Sequence, residues 1–291
     1  MPLEALTHPA AYTLGAGILG LLVGSFLNVV ILRLPARLLH DWQTQSREML
    51  GLDNPDTNSS PPPPGIVREP SHCPKCKHPL GPLENIPLVS WLVLRGRCRH
   101  CQVPISIQYP LVELLTGIAS ALVVWKFGLS WQAAAGLAFS WMLIAAAGID
   151  ARTQLLPDSL TLPLLWLGLT ISLYPLFIAS DASILGAVIG YLSLWSVYWL
   201  FKLITGKEGM GHGDFKLLAA LGAWMGAASL LPIILLSALT GAVIGIVILK
   251  IRGQDHSVPI PFGPFIAAAG WMQFLWGEQI QAVYRSVLGV T

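Results

Sequence analysis

Charge is what this sequence has least of: of 291 residues only 15 are acidic and 17 basic, 11% together, with a net charge of +2. Soluble globular domains carry about a quarter charged residues, so an ordinary solvated surface is excluded. The basic residues do not gather into one continuous stripe, and a nucleic-acid partner is therefore not expected. No fixed-period repeat, no glycine-rich phosphate loop following a strand and no dinucleotide-type glycine fingerprint can be read. What remains is apolar. Hydrophobic residues make up 54% of the chain and the mean hydropathy is +0.65, which belongs in a lipid bilayer.

A span needs roughly 20 mainly apolar residues to cross about 30 Å of hydrocarbon. About eight such runs occur, near 11–32, 109–125, 131–149, 159–178, 183–203, 214–229, 231–250 and 260–278. The expected fold class is an all-α polytopic membrane protein with about eight transmembrane helices and a cytosolic zinc-binding insertion after the first. The sixth run is short, rich in Ala and Gly, and could be re-entrant. The leader Met1-Pro2-Leu3-Glu4 has no Lys or Arg, and the run after it exceeds a usual signal core, so the first span is expected to stay.

Nine of the Lys and Arg residues lie between Arg33 and Arg99, and six more fall at the same side of an eight-span layout. By the positive-inside rule that side is the cytoplasm. The expected division is a first helix at 1–32, a cytosolic loop at 33–108 holding a zinc module at 71–103, and a seven-helix membrane domain at 109–291. Within the loop, Leu38, Leu39, Trp42, Met49 and Leu50 predict a short amphipathic helix over 36–50. Residues 52–70, with Asn58-Ser59-Ser60 and Pro61 to Pro64, read as a linker.

All four cysteines sit in the module, as Cys73-Pro74-Lys75-Cys76 and Cys98-Arg99-His100-Cys101. Two such knuckles about twenty residues apart point to one tetrahedral zinc ion held by four thiolates. A pair of disulfides is the alternative, disfavoured in a reducing compartment. With four thiolates no coordination position is left for water, so the metal is expected to fold the module and not to catalyse. His72, His78 and His100 adjoin the cysteines and are read as exposed.

Acids at membrane depth are costly and invite a functional reading. Asp150 closes the apolar run Trp141 to Ile149, and Asp214 sits in Gly211-His212-Gly213-Asp214-Phe215-Lys216, where a glycine-rich loop enters the next run. Both fall at the side assigned to the cytoplasm. Two carboxyls held close share one proton, so one can act as base on a water and the other as acid toward a scissile carbonyl. Gly209, Gly211 and Gly213 would admit an extended substrate and a turn of positive φ. Asp158 and Asp181 are expected to cap helices. Glu113 is open between an Arg partner, a substrate pocket and snorkelling to the surface; Asn28 and Ser25 are read as helix-packing residues. A transport site using the acids, or a noncatalytic assembly scaffold, also stays open at this point.

The combined pattern resembles the bacterial type IV prepilin peptidases. It is carried by Gly24-Ser25-Phe26-Leu27-Asn28 leading to Arg33-Leu34-Pro35, the two cysteine knuckles, Asn85-Ile86-Pro87-Leu88, Tyr109-Pro110-Leu111-Val112-Glu113, Asp150 with Leu155-Leu156-Pro157-Asp158, and the Gly211 to Lys216 run. The resemblance covers nearly the whole chain. It implies an aspartic endopeptidase of the bacterial inner membrane, multi-pass, with its zinc loop in the cytoplasm. Such an enzyme removes the basic leader of type IV prepilins or pseudopilins, cutting after a glycine, and serves pilus or type II secretion machinery. It then N-methylates the exposed residue, usually phenylalanine, with S-adenosylmethionine. By position the family's catalytic pair falls on Asp150 and Asp214, and the metal ligands on Cys73, Cys76, Cys98 and Cys101. Residues for the methyl donor are not implied.

Overall fold

A bilayer core offers no water to backbone N–H and C=O groups, so long apolar runs satisfy themselves as helices. In the computed structural model, which describes residues 9–51, 62–67, 69–252 and 261–288, they do so throughout. The helices are α1 (Pro9–Met49), a short α2 (Val89–Val93), α3 (Gln108–Phe127), α4 (Trp131–Thr153), α5 (Asp158–Ile171), α6 (Ser180–Thr205), α7 (His212–Met225), α8 (Leu230–Arg252) and α9 (Gly263–Leu288). Among the described residues there is no strand, only the isolated bridges His72 with Pro79 and Arg97 with Pro104. The chain divides into two units, Met1–Trp125 and Lys126–Thr291.

Each expected run holds a helix, and five stretches are long and apolar enough to cross a membrane by length and composition: α1, α3, α4, α6 and residues 227–247. Two runs give shorter helices than expected. Both α5 and α7 have 14 residues, a rise of about 21 Å against about 30 Å of hydrocarbon. For α7 the reason lies in its surroundings. Nearly every residue from Asp214 to Trp224 is buried, so this helix is wrapped by protein.

In the first unit α1 runs unbroken through Pro35, so the helix expected over 36–50 is the continuation of the first span and not a separate element. Arg33 donates to the carbonyls of Gly65, Glu69 and Pro70, and Arg37 to that of Pro63, which ties the following loop to the helix. The rest of the expected linker, at 52–61 and 68, lies outside the described residues. Helices α1 and α3 meet through small residues: a Cβ on Gly20 would lie 2.6 Å from the Thr116 carbonyl oxygen, and one on Gly24 2.7 Å from the Glu113 Cα. Without such glycines two backbones cannot approach closely.

In the second unit α7 packs on α6 so tightly that the backbones of Gly186 and Gly222 touch. Ser183 Oγ donates to the Ala223 carbonyl at 2.6 Å and Trp224 Nε1 to that of Leu164 at 2.9 Å, fixing α7 to α6 and α5. Phe139, Phe177, Trp224 and Phe274 form an aromatic cluster, with Phe139 centred 4.7 Å from both Trp224 and Phe274. This packing fixes the opposite end of α7 from Asp214.

Candidate active site and metal centre

Helix α4 begins on Ser130, whose hydroxyl accepts the Ala133 N–H at 3.1 Å, and stops one turn after Asp150. Gln154 takes the left-handed conformation at φ 56° and donates its N–H to the Asp150 carbonyl. The chain then turns through Leu155-Leu156-Pro157 into α5. Pro157, not Asp158, is the cap residue there; Asp158 instead takes the ammonium of Lys216 at 2.6 Å. That ion pair ties the start of α5 to the start of α7. Asp181 likewise lies in the first turn of α6, after the cap residue Ala179.

Asp214 occupies the first turn of α7, its N–H bonded to the Gly211 carbonyl at 3.2 Å. The structure brings Asp150 and Asp214 near enough for their charges to interact. They are 5% and 7% exposed. Asp150 Oδ2 accepts the backbone N–H of Gly263 at 3.0 Å, whereas Asp214 Oδ1 is buried without a hydrogen-bond partner. A buried acceptor left unpaired is costly unless water or substrate meets it.

Leu156 is enclosed by the glycines of this site. A Cβ on Gly213 would lie 2.5 Å from the Leu156 Cβ; one on Gly263 would lie 3.0 Å from its Cδ1 and 2.7 Å from Asp150 Oδ2. None of Gly209, Gly211 and Gly213 has a positive φ, which corrects the expected turn. Gly213 is needed for the approach of Leu156, and Gly209 for that of the Phe201 ring, 2.9 Å from where a Cβ would stand. Sequence reasoning missed Gly263. Its only signal was Pro261-Phe262-Gly263-Pro264 at the head of a span, with nothing ionisable in it.

The cysteine module is two matching turns. Cys73 N–H bonds the His78 carbonyl and Lys77 N–H that of Cys73; Cys98 N–H bonds the Val103 carbonyl and Gln102 N–H that of Cys98. Lys77 and Gln102, each following the second cysteine of its knuckle, share a positive φ of 59° and 57°. The turns face each other, with all four sulfurs within 4.8 Å of one another and Cys73 to Cys101 at 3.7 Å, Cys76 to Cys98 at 4.0 Å. A tetrahedron with metal–sulfur bonds of about 2.3 Å has edges of roughly 3.8 Å, so the donor set fits a metal ion.

The electrostatics agree. The backbone N–H of Cys76 holds the Cys73 thiol down at about 6, against burial and with help from Lys75 N–H. At Cys76 the His78 N–H pulls the same way, but burial and the sulfurs of Cys73, Cys101 and Cys98 outweigh it and raise that thiol to about 11. A dication among the sulfurs removes that repulsion. Beside the knuckles, the His78 and His100 ring centroids lie 3.5 Å apart with the rings tilted by 38°, and Glu84 lies 3.8 Å from His100. Glu113 neither pairs with an arginine among the described residues nor reaches the surface; it is buried and accepts the Leu88 N–H at 2.8 Å.

Two family models match. Residues 18–127 fit the bacterial peptidase A24 N-terminal domain, and residues 137–246 fit the type IV leader peptidase family, a stretch that contains both aspartates. The chain is 56% identical to a prepilin leader peptidase/N-methyltransferase of Xanthomonas campestris pv. campestris, over 97% of this chain and 98% of that protein. Proteins of the same description from Stutzerimonas stutzeri and Pseudomonas aeruginosa are 55% and 53% identical, each over 97% of both chains. No solved structure matches the chain.

Proposed function

The chain belongs to the type IV leader peptidase family, and from that premise we propose that Asp150 and Asp214 are the pair that hydrolyses the leader. The protein is a prepilin peptidase and N-methyltransferase of the inner membrane: it cleaves the prepilin leader and methylates the amine so exposed. The observation that carries the dyad is Asp214 Oδ1, buried and unpaired, in a site where Leu156 lies against both Gly213, next to Asp214, and Gly263, bonded to Asp150. It is an acceptor aimed at something the protein itself does not supply.

With one proton between the two carboxyls, the ionised one takes a proton from water as the oxygen adds to the scissile carbonyl carbon. The protonated one hydrogen-bonds and then protonates the carbonyl oxygen. The carboxyl that took the water proton passes it to the nitrogen while the other recovers a proton from the tetrahedral hydroxyl; the C–N bond breaks, and the nitrogen leaves as an amine. Gly263 N–H fixes the orientation of the Asp150 carboxyl through Oδ2. A basic leader held on the cytoplasmic side, ahead of an apolar helix in the bilayer, would bring its cleavage point to the ends of α4 and α7.

The four cysteines hold a metal in this reading, and their thiolate set favours zinc. Its shell is full, so it organises the loop at 33–108, which the Lys and Arg distribution assigns to the cytoplasm. S-adenosylmethionine supplies the methyl group as a sulfonium. Pilus subunits or pseudopilins are the substrates, and pilus or type II secretion machinery the setting.

Cleavage of purified prepilin in lipid by the parent enzyme and by Asp150→Asn and Asp214→Asn tests the dyad. Each variant should lose roughly a thousandfold or more in rate. Full activity in either, at matched folding, rejects the assignment.

A further inference from the structure

Three polar side chains are built into the contact of α1 with α3, where apolar packing alone would suffice. Glu113 and Asn28 are 8% and 2% exposed. Glu113 Oε2 accepts the Leu88 N–H at 2.8 Å, and the Ser25 side chain lies near enough to interact with the same carboxyl. Asn28 lies one turn further along α1, where its Nδ2 donates to the carbonyls of Gly24 at 3.3 Å and Tyr109 at 3.0 Å. Both amide hydrogens are thereby used, and Oδ1 is left buried with no partner.

The backbone beside the carboxyl is strained as well. Leu88 has φ 60° and ψ −48°, and Val89 N–H reaches the Pro87 carbonyl at 2.6 Å, a γ-turn of the rare positive-φ kind. A leucine is held there by giving its N–H to a buried acid. Strain of this sort collects at sites that work. A purely structural clip accounts for Oε2 and for Leu88, but it leaves Asn28 Oδ1 with no purpose. A carboxylate has about four acceptor positions, and the bond from Leu88 leaves the Glu113 carboxyl with capacity to spare.

We propose that Glu113, Asn28 and Ser25 form the site that receives the newly exposed α-amino group of the cleaved substrate for methylation. The inference rests on the methyltransferase half of the reading above and not on the aspartate dyad. Two buried acceptors at one helix contact suit a cationic donor with several N–H groups, which is a primary ammonium. A sulfonium centre has no N–H to offer them.

Glu113 takes one proton from the ammonium and frees the nitrogen lone pair. The new N–C bond forms as the donor's C–S bond breaks, with that electron pair staying on sulfur. The proton passes from Glu113 to water, and the product is an N-methylated ammonium, a protonated secondary amine. Asn28 Oδ1 accepts a second N–H and aims the lone pair away from the acid. Ser25, next to Glu113, helps keep the carboxyl turned toward the amine.

The test is binding to the full chain in lipid nanodiscs of a short synthetic peptide with a free N-terminal phenylalanine, against the same peptide N-acetylated. The wild-type chain should prefer the free amine by roughly tenfold or more. Glu113→Gln and Asn28→Leu should each bring that preference close to one, while S-adenosylmethionine binding, measured apart, stays as in wild type. Equal binding of the two peptides by wild type overturns the proposal. So does a preference that survives in either folded variant, or loss of the methyl donor in place of the amine. If Glu113→Gln does not fold, Asn28→Leu, which leaves the acid in place, decides, and if neither folds the wild-type pair of peptides decides alone. The peptides are already cut, so failure of the aspartate dyad would appear only in prepilin cleavage and leave this comparison intact.

Discussion

Gly263 donates its backbone N–H to the Asp150 carboxyl at 3.0 Å, joining residues 113 positions apart in sequence. The bond works because Gly263 has no side chain: a Cβ there would stand 2.7 Å from the same oxygen and 3.1 Å from the Asp150 Cγ. One residue thus both orients a carboxyl and makes room for it. The same glycine also lies against Leu156, whose other side is closed by Gly213 next to Asp214. Leu156 is therefore the apolar spacer of the site.

Replacing Gly263 by Ala is expected to push the Asp150 carboxyl aside by several tenths of an ångström or more. Misplacement on the order of 1 Å at a catalytic group costs about a hundredfold. Prepilin cleavage by Gly263→Ala should fall by roughly tenfold to a hundredfold while thermal unfolding in detergent stays close to wild type. An unchanged cleavage rate would show that the hydrogen bond does not position the carboxyl.

The cleavage rate should have a bell-shaped dependence on pH. On the acid side both carboxyls of the dyad carry a proton and no base remains; on the alkaline side neither does, and the acid is lost. The two limbs belong to the pair as a unit, not to Asp150 or Asp214 separately. Cleavage of a prepilin whose own ionisable groups are kept constant reads this directly. A rate that rises steadily through the alkaline range would mean that no shared proton is required.

The acids could be read from the sequence because a charge inside an apolar run stands out, and the knuckles because their spacing alone fixes four thiols. Gly263 could not, since it acts through a backbone N–H and a missing Cβ. Hydropathy also hid the place of α7: lipid and protein interior are equally apolar, so a central helix and a lipid-facing one read alike. Pro35 misled in the other direction. The stretch over 36–50 was expected as a separate helix, yet α1 continues through Pro35 into it, with Arg33 and Arg37 binding the loop on either side. Asn28 and Glu113 were each visible as polar residues in a span, but their shared location depends on the glycine contact of α1 with α3.

Removing the metal should unfold the cysteine module alone. The module has two isolated bridges and little apolar core, so metal–thiolate bonds would be what holds its two turns together. The protein should contain one equivalent of metal, lost in Cys73→Ser and in Cys98→Ser. After chelation, trypsin should cut at Lys75, Lys77, Arg95, Arg97 or Arg99 well before the membrane helices are attacked. Metal content unchanged in both variants would reject the site.

The contact between α6 and α7 sets the position of Asp214 from a distance. Gly186 and Gly222 meet backbone to backbone, and a Cβ on Gly190 would lie 2.7 Å from the Leu218 carbonyl oxygen. Side-chain movement cannot relieve a clash with backbone, so Gly222→Val has to separate the helices. Overpacking of this kind costs about 3 kcal/mol. The Ser183 bond to Ala223 and the Trp224 bond to Leu164 lie next to the altered residue and would be lengthened with it. Because α7 is a single buried helix with Asp214 at its head, its shift would carry the carboxyl away from Asp150. Gly222→Val is therefore expected to lower both the unfolding temperature and the cleavage rate, whereas Gly15→Val, on an open face of α1, should change neither. Wild-type cleavage by a correctly folded Gly222→Val protein would show that the dyad does not depend on this packing.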